Sequence, residues 1–399
     1  MTHCDIICGD CLAELRKLPA ESVQCCVTDP PYGLSFMGKE WDRGTPGAPY
    51  WAEVLRVCKP GAHLLAFGGT RTFHRLACAI EDAGWEIRDT MMWVYGSGFP
   101  KSLDVSKAID KAAGVEAATS YIPQATNKVF GDGKGKAAGV DRTPGAKLSS
   151  APVTDSAREW SGWGTALKPA WEPIILARKP LDGTVAQNVQ KHGCGALNID
   201  GCRVAVDVEA DASQLRTMNR GQRTEDTHGQ EWGLSKNGSD VPQVVKPEGR
   251  WPANVIHDGS PEVLAVFPET PGALMPVKGT EPSSAAVGTR CFNAMARTAN
   301  SEPRDSSPSS AARFFYCAKA DSDERAGGNH PTVKPLALMK YLIQLVSRPG
   351  DTVLDPFGGS GTTGEAAQEL GRNAILIELN PAYCELIRRR TAQAGMILP

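Results

Sequence analysis

Residues Asp351–Thr363 read DTVLDPFGGSGTT, and this stretch indicates the fold of the chain. A short apolar strand runs into a glycine-rich turn, and the residues from Thr363 to Leu370 then have the apolar spacing of a helix. Glycines let the backbone approach a ligand closely, and a helix amino terminus favours a carboxylate. A second strand, Ala374–Ile377, leads to Glu378, at about the spacing where dinucleotide folds place a ribose-binding acid. The pattern predicts a nucleoside-binding α/β unit.

The glycine-rich turn makes little provision for a pyrophosphate. It has one glycine pair but no third spaced glycine, and it lacks the lysine of a phosphate-binding loop. S-adenosylmethionine therefore fits the turn better than NAD does.

A second motif, Asp-Pro-Pro-Tyr at residues 29–32, follows the β-branched run Val23–Val27, which is typical of a buried strand. The consecutive prolines Pro30 and Pro31 fix φ and remove two donors, leaving a rigid turn with outward carbonyls. The Asp29 carboxylate, the Pro30 carbonyl and the Tyr32 ring suit a flat heterocycle that bears an exocyclic amino group. The two acceptors would take its N–H hydrogens while the ring stacks. Without a second motif, a proline-rich turn with a helix-capping aspartate is an equal alternative.

Together with the segment His330–Pro335, the two motifs resemble those of the amino-methylating DNA methyltransferases. Their order, with the catalytic motif first and the cofactor turn last, is similar to the circular permutation of the beta class. The resemblance covers residues 1 to 100 and about 310 to 395. It implies an α/β fold, a Rossmann-like S-adenosylmethionine-dependent methyltransferase sheet that is circularly permuted and carries a large irregular target-recognition insert.

The same resemblance divides the chain into three parts. Residues 1–100 would form the catalytic half, 101–312 the insert, with about 166–180 returning to the sheet, and 313–399 the cofactor-binding half. Within the first part the residue pattern predicts a strand at Ala62–Phe67 that follows a Lys-Pro-Gly turn, and a helix capped by Thr70.

The resemblance assigns catalysis to the motif at 29–32 and cofactor contacts to both ends of the chain. Asp10 would lie near the adenine of the cofactor, although a plain helix N-cap explains it equally well. Thr332 and Lys334 would flank the methionine end. Trp93 and Tyr95 are candidates for holding the target base, although core packing is the favoured alternative for Trp93. The expected cofactor-binding set is Asp10, Cys11, Asp29, Thr332, Lys334, Asp355, Pro356, Phe357, Gly359, Ser360, Gly361, Thr362, Glu378 and Leu379.

DNA contacts are expected mainly from the insert, because its position matches the target-recognition region of the family. Guanidinium and aromatic groups can read or stack bases, and lysines can contact phosphates. A solvated linker is the alternative for the basic segment, and acidic residues are interleaved with the arginines. The candidates are Trp41, Lys128, Lys134, Lys136, Arg142, Arg216, Arg220, Arg223, Arg250 and Trp251.

Composition sets outer limits on the function. The chain has 399 residues, 41% hydrophobic and 22% charged, which is ordinary for a globular protein, and its net charge of −2 gives no global signature of nucleic-acid binding. We expect no membrane span and a cytoplasmic protein. Twelve cysteines are scattered, and Cys8 and Cys11 have metal-ligand spacing without a second such pair, so no metal is expected. Beta-class relatives suggest a homodimer.

The motifs and the resemblance together predict methyl transfer from S-adenosylmethionine to the N6 amino group of adenine in double-stranded DNA, by base flipping and direct displacement. Three alternatives stay open. Cytosine-N4 methylation needs the same geometry, although such enzymes more often carry serine at the position of Asp29. RNA or protein-amide methyltransferases usually carry asparagine there, and a DNA-binding protein could keep an inactive methyltransferase shell. The sequence leaves the recognition site and any role in restriction–modification open.

Overall fold

The structure is a computed structural model that describes residues 2–34, 44–98, 102–115, 151–205, 249–267, 311–318 and 333–394. The chain divides into two compact units. The larger one comprises Met1–Gly96 and Trp171–Pro399, and the smaller one comprises Ser97–Ala170.

The larger unit contains a mixed sheet whose described strands number nine, in the order β1-β9-β8-β2-β3-β5-β4-β6-β7. The strands are β1 Cys4–Cys8, β2 Val23–Thr28, β3 Cys58–Phe67, β4 Glu86–Val94, β5 Trp171–Arg178, β6 Val255–His257, β7 Tyr316–Cys317, β8 Thr352–Asp355 and β9 Asn373–Glu378.

Strand β5 is antiparallel to both of its neighbours, β3 and β4, whereas the other described pairs are parallel. The carboxyl ends of the parallel strands therefore meet at one edge of the sheet, and β5 begins at that edge. Open α/β sheets bind ligands at this edge. The segment predicted as the insert thus supplies β5 and β6, of which the sequence predicted only β5.

Ten α-helices lie within the described residues. They are α1 Cys11–Leu15, α2 Ala48–Val57, α3 Phe73–Asp82, α4 Val105–Ala112, α5 Asp155–Glu159, α6 Val185–His192, α7 Pro261–Leu264, α8 Leu336–Val346, α9 Thr362–Glu369 and α10 Pro381–Ala394.

The core of the larger unit lies on both faces of the sheet, because alternate strand residues point to opposite sides. Val27 and Leu65 belong to the apolar cluster that contains the buried face of α8. Their neighbours Cys26 and Leu64 belong to the cluster that contains Trp51 of α2 and buried residues of α3. Burial of an apolar side chain such as Val27 or Leu65 contributes about 1.5–3 kcal/mol to folding. The packing on both faces therefore holds the edge of the sheet in place.

The boundaries of two elements differ from the predictions. The predicted strand Ala62–Phe67 lies within β3, which begins earlier, at Cys58, because Cys58 already pairs with Val23 of β2. Helix α3 begins at Phe73, and its N-cap position is Thr72 rather than Thr70. The Thr72 hydroxyl makes no capping bond, since it donates to the Tyr32 carbonyl at 2.6 Å.

The smaller unit is organised around the buried side chain of Asp110 on α4. Its carboxylate accepts hydrogen bonds from the backbone amides of Val153 and Thr154 at 2.9 and 3.0 Å, and from the Thr154 hydroxyl at 2.8 Å. Thr154 also caps α5. One carboxylate therefore ties together the two helices that are described in this unit.

Across the part of the chain that the structure describes, every helix is too short or too polar to cross a membrane.

Candidate active site

Four acidic residues that are far apart in sequence meet at the carboxyl edge of the sheet. Asp10, Asp29, Asp355 and Glu378 lie at or just past the ends of β1, β2, β8 and β9. Those strands are consecutive in the sheet. The structure therefore brings together the predicted catalytic turn and most of the predicted cofactor residues.

The glycine-rich turn packs closely against α10. Gly361 has a φ of +83°, and a Cβ atom there would lie 3.0 Å from the Ile387 side chain. The Gly359 amide donates to Glu378 Oε2 at 2.9 Å, and the Asn380 amide donates to Oε1 at 2.7 Å. These bonds fix the Glu378 carboxylate at the end of β9. Burial raises the pKa of Glu378, and the backbone N–H bonds oppose that shift.

The buried Asp355 connects the two sequence motifs through hydrogen bonds of its side chain. Its carboxylate oxygens accept hydrogen bonds from the hydroxyls of Thr28 and Thr363, each at 2.6 Å, and from the Phe357 amide at 3.1 Å. Burial raises the pKa of Asp355 to about 6, although these three hydrogen bonds lower it. Asp355 was predicted to bind cofactor, whereas its side chain here braces β2 against α9.

Asp10 is the N-cap of α1, since its Oδ1 accepts the Ala13 amide at 2.9 Å. Cys11 follows it half-buried, and burial, reinforced by Asp10, raises the pKa of its thiol to about 12. This thiol is therefore not a nucleophile at neutral pH.

The remaining predicted cofactor residues lie along the same edge. The hydroxyls of Ser360 and Thr362 are hydrogen-bonded to each other at 3.1 Å. The ring of Phe357 packs 6.4 Å from that of Trp51, Pro356 is buried, and Leu379 is largely exposed. Thr332 lies outside the described residues.

The Asp-Pro-Pro-Tyr turn is held by hydrogen bonds from two directions. The Tyr32 hydroxyl donates to Asp29 Oδ1 at 2.7 Å, and Thr72 of α3 holds the Tyr32 carbonyl. Pro30 is buried and Pro31 is half-buried. Burial, and then the neighbouring carboxylates, raise the pKa of Tyr32 far above its ordinary value, so its hydroxyl stays a neutral donor.

Lys334 lies against the Asp-Pro-Pro-Tyr turn, just before α8. Its ammonium contacts Asp29 Oδ2 at 2.7 Å, the Tyr32 hydroxyl oxygen at 3.1 Å and Glu172 Oε2 at 3.2 Å. The residue is only 8% exposed. Burial alone lowers the pKa of Lys334, but the two carboxylates raise it above its ordinary value overall, so the ammonium stays charged. The resemblance implied a contact with the cofactor's methionine end, whereas here Lys334 is bound to Asp29.

Glu172, the second residue of β5, lies in the site although the sequence did not predict it there. Its carboxylate lies 3.1 Å from the Tyr32 hydroxyl and 3.4 Å from that of Tyr95. The ring of Tyr95 packs 4.9 Å from that of the buried Trp93. The available signal was a single charged residue at the start of an otherwise apolar strand, which does not by itself indicate which way the strand runs.

Most of the predicted DNA contacts fall outside the described residues, namely Trp41, Lys128, Lys134, Lys136, Arg142, Arg216, Arg220 and Arg223. Arg250 is 7% exposed and its backbone pairs with that of Val204. This burial does not fit the predicted DNA contact. Trp251 is 59% exposed, and the Arg203 guanidinium lies 5.5 Å from the centre of its ring.

Among the described residues, we find no group of three histidine, cysteine or acidic side chains placed to hold a metal ion, and the described cysteines are free thiols.

The edge fits S-adenosylmethionine chemically. Gly358, Gly359 and Gly361 carry no side chain that would keep a ligand away from the backbone of the turn. Glu378 offers carboxylate oxygens of the kind that bind ribose hydroxyls. Asp29 lies just past the end of β2, which is next to β8, the strand that leads into the glycine turn.

Comparison with known proteins agrees with this geometry. The profile of the DNA methylase family, which comprises N6 and N4 methyltransferases, matches residues 23–389. The chain is 22% identical to the Type II methyltransferase M.HindIII of Haemophilus influenzae over 418 residues, covering 93% of this chain and 90% of that protein. It is 55% identical to the DNA adenine methyltransferase YhdJ of Escherichia coli over 62 residues, 16% of this chain and 21% of that protein.

Among solved structures, the cytosine-N4-specific PvuII DNA methyltransferase is similar with a TM-score of 0.42 at 14% identity, covering 98% of this chain and 87% of that one. Because the family profile spans most of the sequence, the chain belongs to the DNA methylase family of S-adenosylmethionine-dependent N6 and N4 amino-methyltransferases.

Proposed function

We propose that the protein methylates the N6 amino group of adenine in DNA. The observation that carries this proposal is the Asp-Pro-Pro-Tyr turn, with Asp29 directly past the end of β2 and beside the glycine turn. The relative YhdJ, which is named as an adenine methyltransferase, supports the choice of base.

The turn supplies what an aryl amine needs in order to react. The amine lone pair is delocalised into the ring, so acceptors that draw both N–H hydrogens into line favour a pyramidal nitrogen. Asp29 and the Pro30 carbonyl are those acceptors, and the Tyr32 ring stacks on the base. Bound S-adenosylmethionine supplies an electrophilic methyl group on a sulfonium. Asp29 or water then takes the surplus proton, without a covalent intermediate on the enzyme.

The target base has to leave the duplex before the turn can reach it. Inside the helix the amino nitrogen is paired and sterically hidden, so we infer that the base is flipped out. The insert would hold the DNA, and the exposed Trp251 is the described residue best suited to contact it.

The test is to incubate the protein with S-adenosylmethionine and unmethylated duplex DNA, digest the DNA to nucleosides, and identify the product by mass spectrometry. We expect N6-methyladenine. N4-methylcytosine would refute the choice of base, and methyl transfer to RNA or protein alone would refute the substrate class.

The role of Asp29 is tested by Asp29→Ala. We expect methyl transfer to fall by at least about 100-fold, because an acceptor for the reacting amine is lost. Cofactor affinity, measured by calorimetry, should change little. Asp82→Ala, an exposed aspartate on α3, is the matched control and should retain activity. Wild-type rates in Asp29→Ala would show that this role is wrong.

A further inference from the structure

Glu172 reaches the Asp-Pro-Pro-Tyr turn because β5 is antiparallel to its neighbours, β3 and β4. It pairs in register with Trp93 of β4, and the next residue, Pro173, accepts the Gly68 amide just past the end of β3. In a parallel strand, a residue at the start would lie at the opposite edge of the sheet. Here the second residue of β5 stands beside Asp29.

The ammonium of Lys334 is shared between two carboxylates. It has three hydrogens and three oxygen neighbours, which belong to Asp29, Tyr32 and Glu172. Both Lys334 and Glu172 have mostly buried side chains, 9% and 19% exposed. With Tyr32 neutral, the group carries one positive and two negative charges, and water screens it little.

Both oxygens of Asp29 are already engaged. Oδ1 accepts the Tyr32 hydroxyl at 2.7 Å, and Oδ2 accepts the Lys334 ammonium at 2.7 Å. Each carboxylate oxygen has a second lone-pair site, so a substrate amine either joins these donors or displaces Lys334, whose charge makes it the stronger competitor. Lys334 can leave Asp29 only if another acceptor stabilises its buried charge.

We propose that Glu172 is a positioning residue that holds the Lys334 ammonium when a base amine takes the place of Lys334 on Asp29. Glu172 Oε2 already lies 3.2 Å from the ammonium nitrogen, so the exchange needs only a small movement. The inference rests on the proposed function, because it assumes that Asp29 accepts a hydrogen from a base amine.

The first test is the single-turnover rate of methyl transfer by Glu172→Gln at saturating S-adenosylmethionine. The amide keeps the shape of the side chain but removes its charge, so Lys334 stays on Asp29. We expect the rate to fall roughly 10- to 100-fold, the cost of a misplaced catalytic group. Glu172→Asp should recover part of the rate. Cofactor affinity should stay at the wild-type value, which also shows that the variant is folded.

The control is Glu86→Gln. Glu86 is a glutamate of β4 that pairs with Arg178 at the other end of β5, at 2.7 Å. It removes an ion pair from the same strand pair without touching the site, and it should leave the rate unchanged.

A double-mutant cycle with Lys334→Met separates positioning from a general structural effect. If Glu172 acts through Lys334, the double variant should be no slower than Lys334→Met alone. The inference would be overturned if the rate losses of the two single variants multiply in the double variant. A wild-type rate in Glu172→Gln would also overturn it. If the wild type methylates cytosine instead of adenine, the proposed base is wrong but the same rate ratios still test Glu172. A wild type that methylates no DNA base would refute the proposed function and this inference together.

Discussion

Asp355 should make the stability of this protein depend on pH in a direction opposite to that of most aspartates. Its pKa lies at about 6 in the folded protein, against an ordinary value of 3.8. The folded state therefore binds the proton more tightly than the unfolded state does. The stabilisation is fully present below the unfolded pKa and is lost as the pH rises through the folded pKa.

The size of the effect follows from the shift in pKa. Each pKa unit corresponds to about 1.4 kcal/mol, so the full shift corresponds to about 3 kcal/mol. Between about pH 4.5 and about pH 7.5, roughly 2 kcal/mol of this should be lost. Asp355→Asn removes the titration, so the wild type should lose roughly 2 kcal/mol relative to this variant over that interval.

The assay is urea unfolding of the wild type and Asp355→Asn at both pH values, followed by tryptophan fluorescence. Other titrating groups are common to both proteins and cancel in the difference. Asp82→Asn, at an exposed position, is the matched control and should follow the wild type at both pH values. A wild-type-minus-Asp355→Asn difference that is the same at both pH values would refute the reasoning from burial.

Two further substitutions test local geometry. Gly361→Ala should weaken S-adenosylmethionine binding by about 10-fold or more in calorimetry. Alanine disfavours the positive φ of this position and its methyl group would crowd Ile387, so the turn has to shift. Gly350→Ala has a similar φ of +84° but open surroundings, so it should cost about 1 kcal/mol of stability and leave affinity intact; equal affinities would contradict the role of the turn. Asn188→Ala should lower the free energy of unfolding by about 2–3 kcal/mol. The buried side-chain amide donates hydrogen bonds to two backbone carbonyls and accepts one from a backbone N–H, and all three would be lost. The control is Gln190→Ala, at an exposed position two residues away, which should lower the free energy of unfolding by less than about 0.5 kcal/mol. Equal losses of stability in the two variants would show that the hydrogen bonds of Asn188 are not stabilising.

The catalytic turn, the glycine turn and the strands that carry them were predictable from sequence because each depends on residues close together in the chain. Consecutive prolines restrict φ at their own positions, and a β-branched apolar run favours a buried strand wherever the chain places it. The predictions for Val23–Val27 and Ala374–Ile377 agree with β2 and β9. The order of the motifs, and hence the family, was already present in the linear sequence.

Other features depended on which strands became neighbours, and local pattern does not contain that information. Asp355 bonds to Thr28 across 327 positions of sequence, and Lys334 bonds to Asp29 across 305. Glu172 lies in the site only because β5 is antiparallel to β3. The Thr72 side chain does not cap its helix, because its hydroxyl bonds to the Tyr32 carbonyl instead. The sequence by itself therefore determined the motifs and their chemistry. Tertiary structure decided which charged groups share a buried space, because charges interact through distance in space rather than through separation along the chain.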